Sequence, residues 1–204
     1  MKRHSTLLLL LIGVLIISGC KGNTNGFKID EIESSQNQIS IGYINFNDEE
    51  YSILKAAGSN NQMIFSINYG NEKVNNITYW IDHYINGELI ESLMNMETRI
   101  SNVSESKDIK IYFTTSEFVS KQEIWTLALR QGGNVSSGKY EIKSIDFDST
   151  ITYPLDEIST GLNEIVDLGM LIRNKGKNAI SSSDDVERTI KENNEVYVLR
   201  CRID

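Results

Sequence analysis

Apolar and polar residues alternate with a period of two through the middle of the chain, and this pattern most constrains the fold. In the segment MIFSINY, Met63, Phe65 and Ile67 fall on one face. The segments IKIYF and IWTLALR, at 109–113 and 124–130, repeat the alternation. Such alternation is typical of strands that bury one face in a core. Several short strands of this kind, separated by turn residues, predict an antiparallel β-sandwich.

The segment ITYWIDHYINGELI, residues 77–90, is expected to form a β-hairpin. Asn86–Gly87 suits its turn, because both residues tolerate positive φ. Trp80 and Tyr84 fall on the face opposite Tyr79 and its aliphatic neighbours. If Tyr79 faces the core, the other two rings lie together outside, where aromatic rings stack on sugars or anchor a protein partner. They are candidate binding residues, unless the C-terminal segment buries this face as well.

The last third of the chain shows less alternation. The segment SSSDDVERTIKENN predicts a short helix, with Ser183 or Asp184 as its N-cap and Val186 and Ile190 one turn apart on its apolar side. LNEIVDLGMLI is compatible with a strand or with an amphipathic segment. EVYVLRCRI predicts a closing strand, in which Cys201 is a small buried hydrophobe. The predicted fold class is therefore mainly β, an antiparallel β-sandwich-like domain with a short helix near the C-terminus.

The first twenty residues are organised as a secretory leader. Lys2 and Arg3 give a positive start, the apolar run LLLLLIGVLII follows, and Ser18 and Gly19 precede Cys20. The run is shorter than the roughly 20 apolar residues that a membrane-spanning helix needs. The pattern predicts a signal peptide.

The segment ISGC, residues 17–20, resembles the lipobox of bacterial lipoproteins. The resemblance implies cleavage before Cys20 and a diacylglycerol thioether on its sulfur, with palmitate-type acyl chains, and two acyl chains suffice for stable anchoring. It implies a signal peptide over 1–19, a lipidated Cys and flexible tether over 20–39, and one β-rich extracytoplasmic domain over 40–204. We expect a cell-membrane protein on the extracytoplasmic side. For the mature domain the sequence suggests no recognised family.

The amino-acid composition limits the classes of partner that the protein is expected to bind. The formal net charge is −8, from 28 acidic and 20 basic residues. Nucleic-acid-binding proteins carry a basic footprint, so we expect no nucleic acid partner. The acidity also argues against an electrostatic contact with anionic lipids. Contact with the membrane is therefore expected through the lipid on Cys20 alone. The abundance of Ile and Asn and the scarcity of Ala favour a Gram-positive source.

Two carboxylates one residue apart, Asp146 and Asp148 in the segment DFDST, are the candidate metal ligands. Calcium takes six to eight oxygen ligands, and neither this pair nor any EF-hand spacing supplies them. A calcium site at this pair would need further oxygen ligands from elsewhere in the chain. Calcium is the one candidate cofactor, and no other is expected.

No arrangement of catalytic residues is visible in the sequence. The segment GNVSSGKY, residues 133–140, approaches a phosphate-loop pattern, but Tyr140 stands where a Ser or Thr is required. We therefore interpret it as a hairpin loop between two strands. After the leader the chain has one histidine, His83, so a zinc site built on several histidines of one chain is excluded. His83 lies within a predicted strand and is expected to be a hydrogen-bonded structural residue.

These features favour a surface lipoprotein whose domain is a non-enzymatic binding or protein-interaction module, with an unknown surface protein or wall ligand as its partner. Two alternatives remain open. One is a carboxylate- or calcium-dependent enzyme of the envelope. The other is a small solute-binding lipoprotein, although such proteins are usually larger and alternate strands with long helices.

Overall fold

Two antiparallel β-sheets pack face to face, so the prediction of a mainly β, sandwich-like fold is confirmed. The computed structural model describes residues 38–45, 48–101, 108–118, 122–143, 147–176 and 179–204. Cys20 and Asp146 lie outside these ranges. Within the described residues, neither helix is long and apolar enough to cross a membrane.

The strands divide between the sheets in a simple way. Sheet 1 contains β1 (Ile39–Tyr43), β2 (Asn61–Asn68), β5 (Ile109–Phe118), β6 (Gln122–Gln131), β7 (Asn134–Lys143) and β9 (Ile158–Thr160), in the order β7-β6-β5-β2-β1-β9. Sheet 2 contains β3 (Asn76–Ile85), β4 (Glu88–Arg99), β8 (Ser149–Pro154), β10 (Ile165–Asn174) and β11 (Glu195–Ile203), in the order β4-β3-β11-β10-β8.

The core between the sheets contains the apolar positions that the alternation selected. These side chains are all buried: Met63, Phe65, Ile67, Ile109, Ile111, Phe113, Trp125, Leu127 and Leu129. Sheet 2 contributes Tyr79 and Ile81 from β3 and Leu199 and Cys201 from β11. Cys201 is fully buried, as expected for a small hydrophobe.

The predicted hairpin is confirmed as β3 and β4. Asn86 has φ 49° and Gly87 has φ 89°, so both residues of the turn take the positive φ that such a turn requires. Further along β4, Met94 has φ 51°, and the β3–β4 register shifts beside it, which marks a β-bulge. β4 is an edge strand, where bulges discourage pairing with another chain.

The prediction of a loop over residues 133–140 was wrong. The turn is Gly132–Gly133, and β7 begins at Asn134. Gly138 lies inside β7, where a Cβ atom would stand 2.8 Å from Met96 Sδ of β4. This glycine therefore permits the close approach of two edge strands from opposite sheets, rather than a turn.

The C-terminal helix is confirmed as α2 (Val186–Glu192), but its predicted cap was wrong. The N-cap is Asp185, whose Oδ1 accepts a hydrogen bond of 3.0 Å from Arg188 N–H. Val186 and Ile190 are buried, as their spacing predicted. They pack on the outer face of sheet 2 in a second apolar cluster, the outer cluster, with Met170, Ile172, Val196 and Val198.

β10 is the segment whose type the sequence left open. Its residues from Leu168 to Asn174 are all buried, because the core covers one face and the outer cluster covers the other. A strand that is buried on both faces shows no alternation.

The beginning of the fold was not foreseen in the same detail. β1 starts at Ile39, the last residue assigned to the tether, and Ile39 is fully buried. A helix, α1 (Glu49–Ala56), follows β1. Its buried Tyr51 accepts a hydrogen bond of 3.1 Å from Ile64 N–H.

Replacing Gly169 with alanine is expected to destabilise the fold by about 1–3 kcal/mol, the usual range for overpacking. A Cβ atom at Gly169 would lie 2.9 Å from Pro154 Cα, 3.0 Å from the Tyr153 carbonyl oxygen and 2.9 Å from Met63 Sδ. Gly133→Ala is the matched control, because no atom lies within 4 Å of its Cβ position. Urea unfolding of both variants checks this, and equal losses would contradict it.

Candidate functional site: a buried polar cluster beside two clefts

Charged and polar side chains occupy one end of the core. On four strands, the inward positions that are apolar elsewhere carry charged, polar or aromatic residues at this end. We call this group the buried polar cluster, and its members are His83, Glu123, Trp125, Arg173, Glu195 and Tyr197. Strand register brings the pairs together: His83 lies opposite Tyr197, and Arg173 lies opposite Glu195.

Glu195 is the centre of the first half of the cluster. Its Oε1 accepts a hydrogen bond from Tyr197 Oη at 2.7 Å and lies 2.7 Å from His83 Nε2. The His83 and Tyr197 rings stack with centroids 4.2 Å apart. Burial raises the pKa of Glu195, but the hydrogen bonds from His83 and Tyr197 and the charge of Arg173 outweigh burial and leave this pKa below its ordinary value. Burial and the adjacent Glu195 raise the pKa of Tyr197.

Arg173 forms the second half of the cluster. Its side chain is only 2% exposed, and Nη2 donates to Glu123 Oε2 at 2.5 Å. Trp125 Nε1 donates to the same oxygen at 2.9 Å. The guanidinium carbon lies 5.3 Å from the Phe147 ring centre, 5.4 Å from that of Trp125 and 5.7 Å from that of Tyr197. The charge of Arg173 is therefore balanced by Glu123 and enclosed by aromatic rings.

Three atoms of the cluster are buried and have no hydrogen-bond partner in the described part of the chain: His83 Nδ1, Arg173 Nε and Glu195 Oε2. His83 Nδ1 lies 3.6 Å from Glu91 Oε1, which is beyond hydrogen-bond distance. Most buried polar groups in folded proteins are paired. Three unpaired atoms in one cluster therefore mark it as a place that can bind a further group.

Two surface clefts reach this cluster. The turn cleft, of about 250 Å³, is lined by Ile85, Asn86, Phe147, Lys175, Asn194 and Glu195. The edge cleft, of about 180 Å³, is lined by His83, Glu91, Leu93 and Tyr197 of sheet 2 and by residues 140–143 of β7. Since Glu195 lines one cleft and its hydrogen-bond partners line the other, the cluster lies between the two.

A third cleft, of about 430 Å³, lies beside α1 and β2. It is larger, but the buried Tyr51 in its wall already accepts the Ile64 N–H. Gln62 Oε1 in its lining is also buried without a partner among the described residues, but this oxygen carries no charge, unlike the Glu195 carboxylate of the turn cleft.

The candidate residues Trp80 and Tyr84 lie on the outer face of sheet 2, each only partly buried. Tyr84 packs against the outer cluster and accepts a hydrogen bond of 3.1 Å from Arg200 Nη1. The same guanidinium binds Asp82 at 2.5 Å and Asp167 at 2.6 Å, and the pKa of Arg200 is raised although its burial alone would lower it. The C-terminal segment thus covers the Tyr84 end of this face, and a binding role for the pair stays a prediction.

The remaining candidate residues are placed only in part. Asp148 Oδ2 accepts a hydrogen bond of 2.5 Å from Gly176 N–H, while Asp146 and Cys20 fall outside the described residues. Among the residues that the structure describes, no group of three or more His, Cys, Asp or Glu side chains is arranged to hold a metal ion. The calcium site therefore stays a prediction.

The sequence contains a signal for the buried polar cluster. On each strand the alternation continues one step beyond the apolar residues, from Ile81 to His83 and from Tyr197 to Glu195. The same step leads from Trp125 to Glu123. A polar residue at an inward position predicts a buried polar group, although only the strand order shows which groups meet.

The stability of the protein is expected to fall as the pH falls below 4.5, the ordinary pKa of Glu195. A carboxylate with a lowered pKa in the folded state contributes stability above its unfolded pKa, and this contribution is lost as the pH falls through the folded pKa. Urea unfolding between pH 6 and pH 3 checks the direction. Glu195→Gln should show a shallower pH dependence than the wild type, and identical slopes would contradict the assignment.

The sheets and the cluster define a β-sandwich domain with a buried ionic site beside its surface clefts. A family model described as the YgaN domain matches residues 40–203, so the chain belongs to the YgaN domain family. This corrects the expectation that the mature domain has no recognised family. No curated protein and no solved structure gives a significant match to the chain.

Proposed function

We propose that this protein is a non-enzymatic binding module, anchored by lipid on Cys20 at the extracytoplasmic face of the cell membrane. The observation that carries the binding role is Glu195. This residue is 5% exposed, lines the turn cleft, and has one carboxylate oxygen without a partner among the described residues.

The energetics of Glu195 support a binding role. A buried acceptor that is left unpaired destabilises a protein by about 1–3 kcal/mol, and by more when the group is charged. Natural proteins retain such unfavourable groups chiefly where function requires them. A ligand that supplies a donor to Oε2 would remove this penalty when it binds.

The chemistry of the cluster favours binding over covalent catalysis. His83 Nε2 is bonded to Glu195, and Nδ1, the ring nitrogen left to act as a base, has no hydrogen-bond partner among the described residues, so no nucleophile is positioned for it to activate. Cys201 is fully buried, and burial raises the pKa of its thiol to about 12, which suppresses its reactivity. The neighbours of His83 in the cluster are a carboxylate and a phenol, which suit recognition of a polar ligand.

The lipid anchor is supported by the leader and by the segment ISGC. We expect Cys20→Ala to lose the lipid, because Cys20 supplies the sulfur that is alkylated. Metabolic labelling with a fatty acid measures this loss. Cys201→Ala is the matched control and should keep the label. Label that persists in Cys20→Ala would contradict the anchor.

Binding is tested with the full-length chain in detergent against a panel of calcium, a chelator, neutral sugars, amino sugars, amino acids and short peptides. A ligand at 100 times its dissociation constant adds about 2.7 kcal/mol of stability. For a protein of this size, that raises the melting temperature by roughly 5–10 °C. A panel without any shift would contradict the binding of a small ligand.

A further inference from the structure

We propose that the turn cleft binds a zwitterion, either a free amino acid or a short peptide that carries both of its terminal charges. Its ammonium group would pair with Glu195, and its carboxylate would pair with Lys175. This inference rests on the proposed binding function and names the class of ligand.

The hydrogen bonds of Glu195 indicate that this residue would bind the ammonium group of the ligand. Its Oε1 already serves Tyr197 and His83, whereas Oε2 has no partner within the described ranges. The neighbouring cation Arg173 stabilises the charge of Glu195 from a distance, but its ion pair is with Glu123 and it donates no hydrogen bond to Oε2. An ammonium group supplies the missing hydrogen-bond donor together with a positive charge, and charge-assisted hydrogen bonds of this kind are the strong ones.

The exposed ammonium group of Lys175 indicates where the carboxylate of the ligand would bind. Its side chain is exposed, and Nζ lies 5.6 Å from the Phe147 ring centre. Its backbone N–H donates to Asn194 Oδ1 at 3.1 Å, which fixes the base of the side chain at the cleft. No carboxylate of the described residues forms an ion pair with Lys175. This ammonium group therefore remains available to an anionic group of the ligand.

The wall between the two charges is apolar. Ile85 and Phe147 line the cleft together with the charged residues, and they suit an aliphatic or aromatic side chain. Oε2 is buried in the structure, so the proposal includes a shift of side chains that line the cleft, Phe147 among them, when the ligand enters. Phe147 touches Arg173, which touches Trp125, so the fluorescence of Trp125 should report that shift.

Calorimetric titration of the full-length chain in detergent tests the inference with four compounds. L-leucine and leucylglycine carry both charges, N-acetyl-L-leucine lacks the ammonium group, and L-leucinamide lacks the carboxylate. We expect at least one of the first two to bind, and each blocked compound to bind about tenfold more weakly or worse than L-leucine or leucylglycine, whichever binds more tightly. The relative affinities of L-leucine and leucylglycine distinguish a free amino acid from a short peptide.

Variants assign each charge to its residue. Glu195→Gln should lose the preference for the free over the acetylated amine, and Lys175→Met should lose the preference for the free carboxylate over the amide. Lys139→Met, an exposed lysine on β7, is the control and should keep both preferences. If Glu195→Gln fails to fold, the blocked compounds still test the wild-type protein.

The outcomes separate this inference from the proposed function. Blocked compounds that bind as tightly as the better of L-leucine and leucylglycine overturn the zwitterion. So does a panel in which sugars or calcium raise the melting temperature and zwitterions do not, although the binding module then stands. A panel in which no compound binds overturns both.

Discussion

Replacing Arg173 with methionine is expected to lower the free energy of unfolding by about 3–5 kcal/mol, because it leaves the largely covered Glu123, 14% exposed, without its ion-pair partner. The change also removes a guanidinium that three aromatic rings enclose. For a domain of this size, the melting temperature should fall by roughly 6–20 °C. Thermal unfolding followed by circular dichroism measures the loss.

Two controls show whether the loss arises from the buried charge. Arg188→Met breaks the ion pair of 2.8 Å with Glu192 on the surface of α2, and exposed pairs contribute little. It should leave the melting temperature nearly unchanged. Adding Glu123→Leu to Arg173→Met removes the stranded carboxylate and should recover part of the stability. A double variant that is less stable than Arg173→Met would contradict this explanation.

Replacing Trp125 with alanine is expected to cost about 3–5 kcal/mol, the usual range for truncating a large buried aromatic residue. Trp125 is fully buried, and its ring meets Phe113 and Tyr197 edge-on at centroid distances of 5.4 Å and 4.5 Å. The change also removes the N–H that Trp125 donates to Glu123. Urea unfolding at neutral pH measures the effect.

The second tryptophan of the chain provides the comparison. Trp80 lies partly exposed on the outer face of sheet 2, so Trp80→Ala should cost less than half as much as Trp125→Ala. Equal losses would mean that the outer face around Trp80 is as well packed as the core. That result would contradict the account of the fold.

The sequence predicted the core well because a strand with one buried face carries its orientation in every second residue. Phe65, Ile111 and Leu127 were assigned to the core on this basis, and all three are buried. Alternation gives no guidance where a strand is buried on both faces or where a glycine serves packing between sheets. β10 is buried on both faces and shows no alternation, and Gly138 was mistaken for a turn residue although it permits an approach between sheets.

The candidate site was harder to predict, because its contacts join residues that are distant in sequence. His83 and Glu195 are separated by 112 positions, and Arg173 and Glu123 by 50. Only the order of strands in sheet 2 and the packing of sheet 1 against it bring these side chains together. The sequence identified His83 as a strand residue but could not name its partner.

The exposed aromatic residues show the opposite difficulty. Trp80 and Tyr84 were correctly placed on the same face of one strand, which depends on local geometry alone. Whether that face stays open depends on where the C-terminal helix packs. Val186 and Ile190 of α2 cover part of this face, because they pack in the outer cluster beside Tyr84.

The most direct test of the account compares two variants with whichever panel compound most raises the melting temperature of the wild-type chain. Each variant is measured with and without the compound, so that its own stability cancels. The account predicts that Glu195→Gln loses the shift and that Trp80→Ala keeps it. A shift that survives in Glu195→Gln and disappears in Trp80→Ala would place the ligand on the outer face of sheet 2 and contradict the assignment of the site to the buried polar cluster.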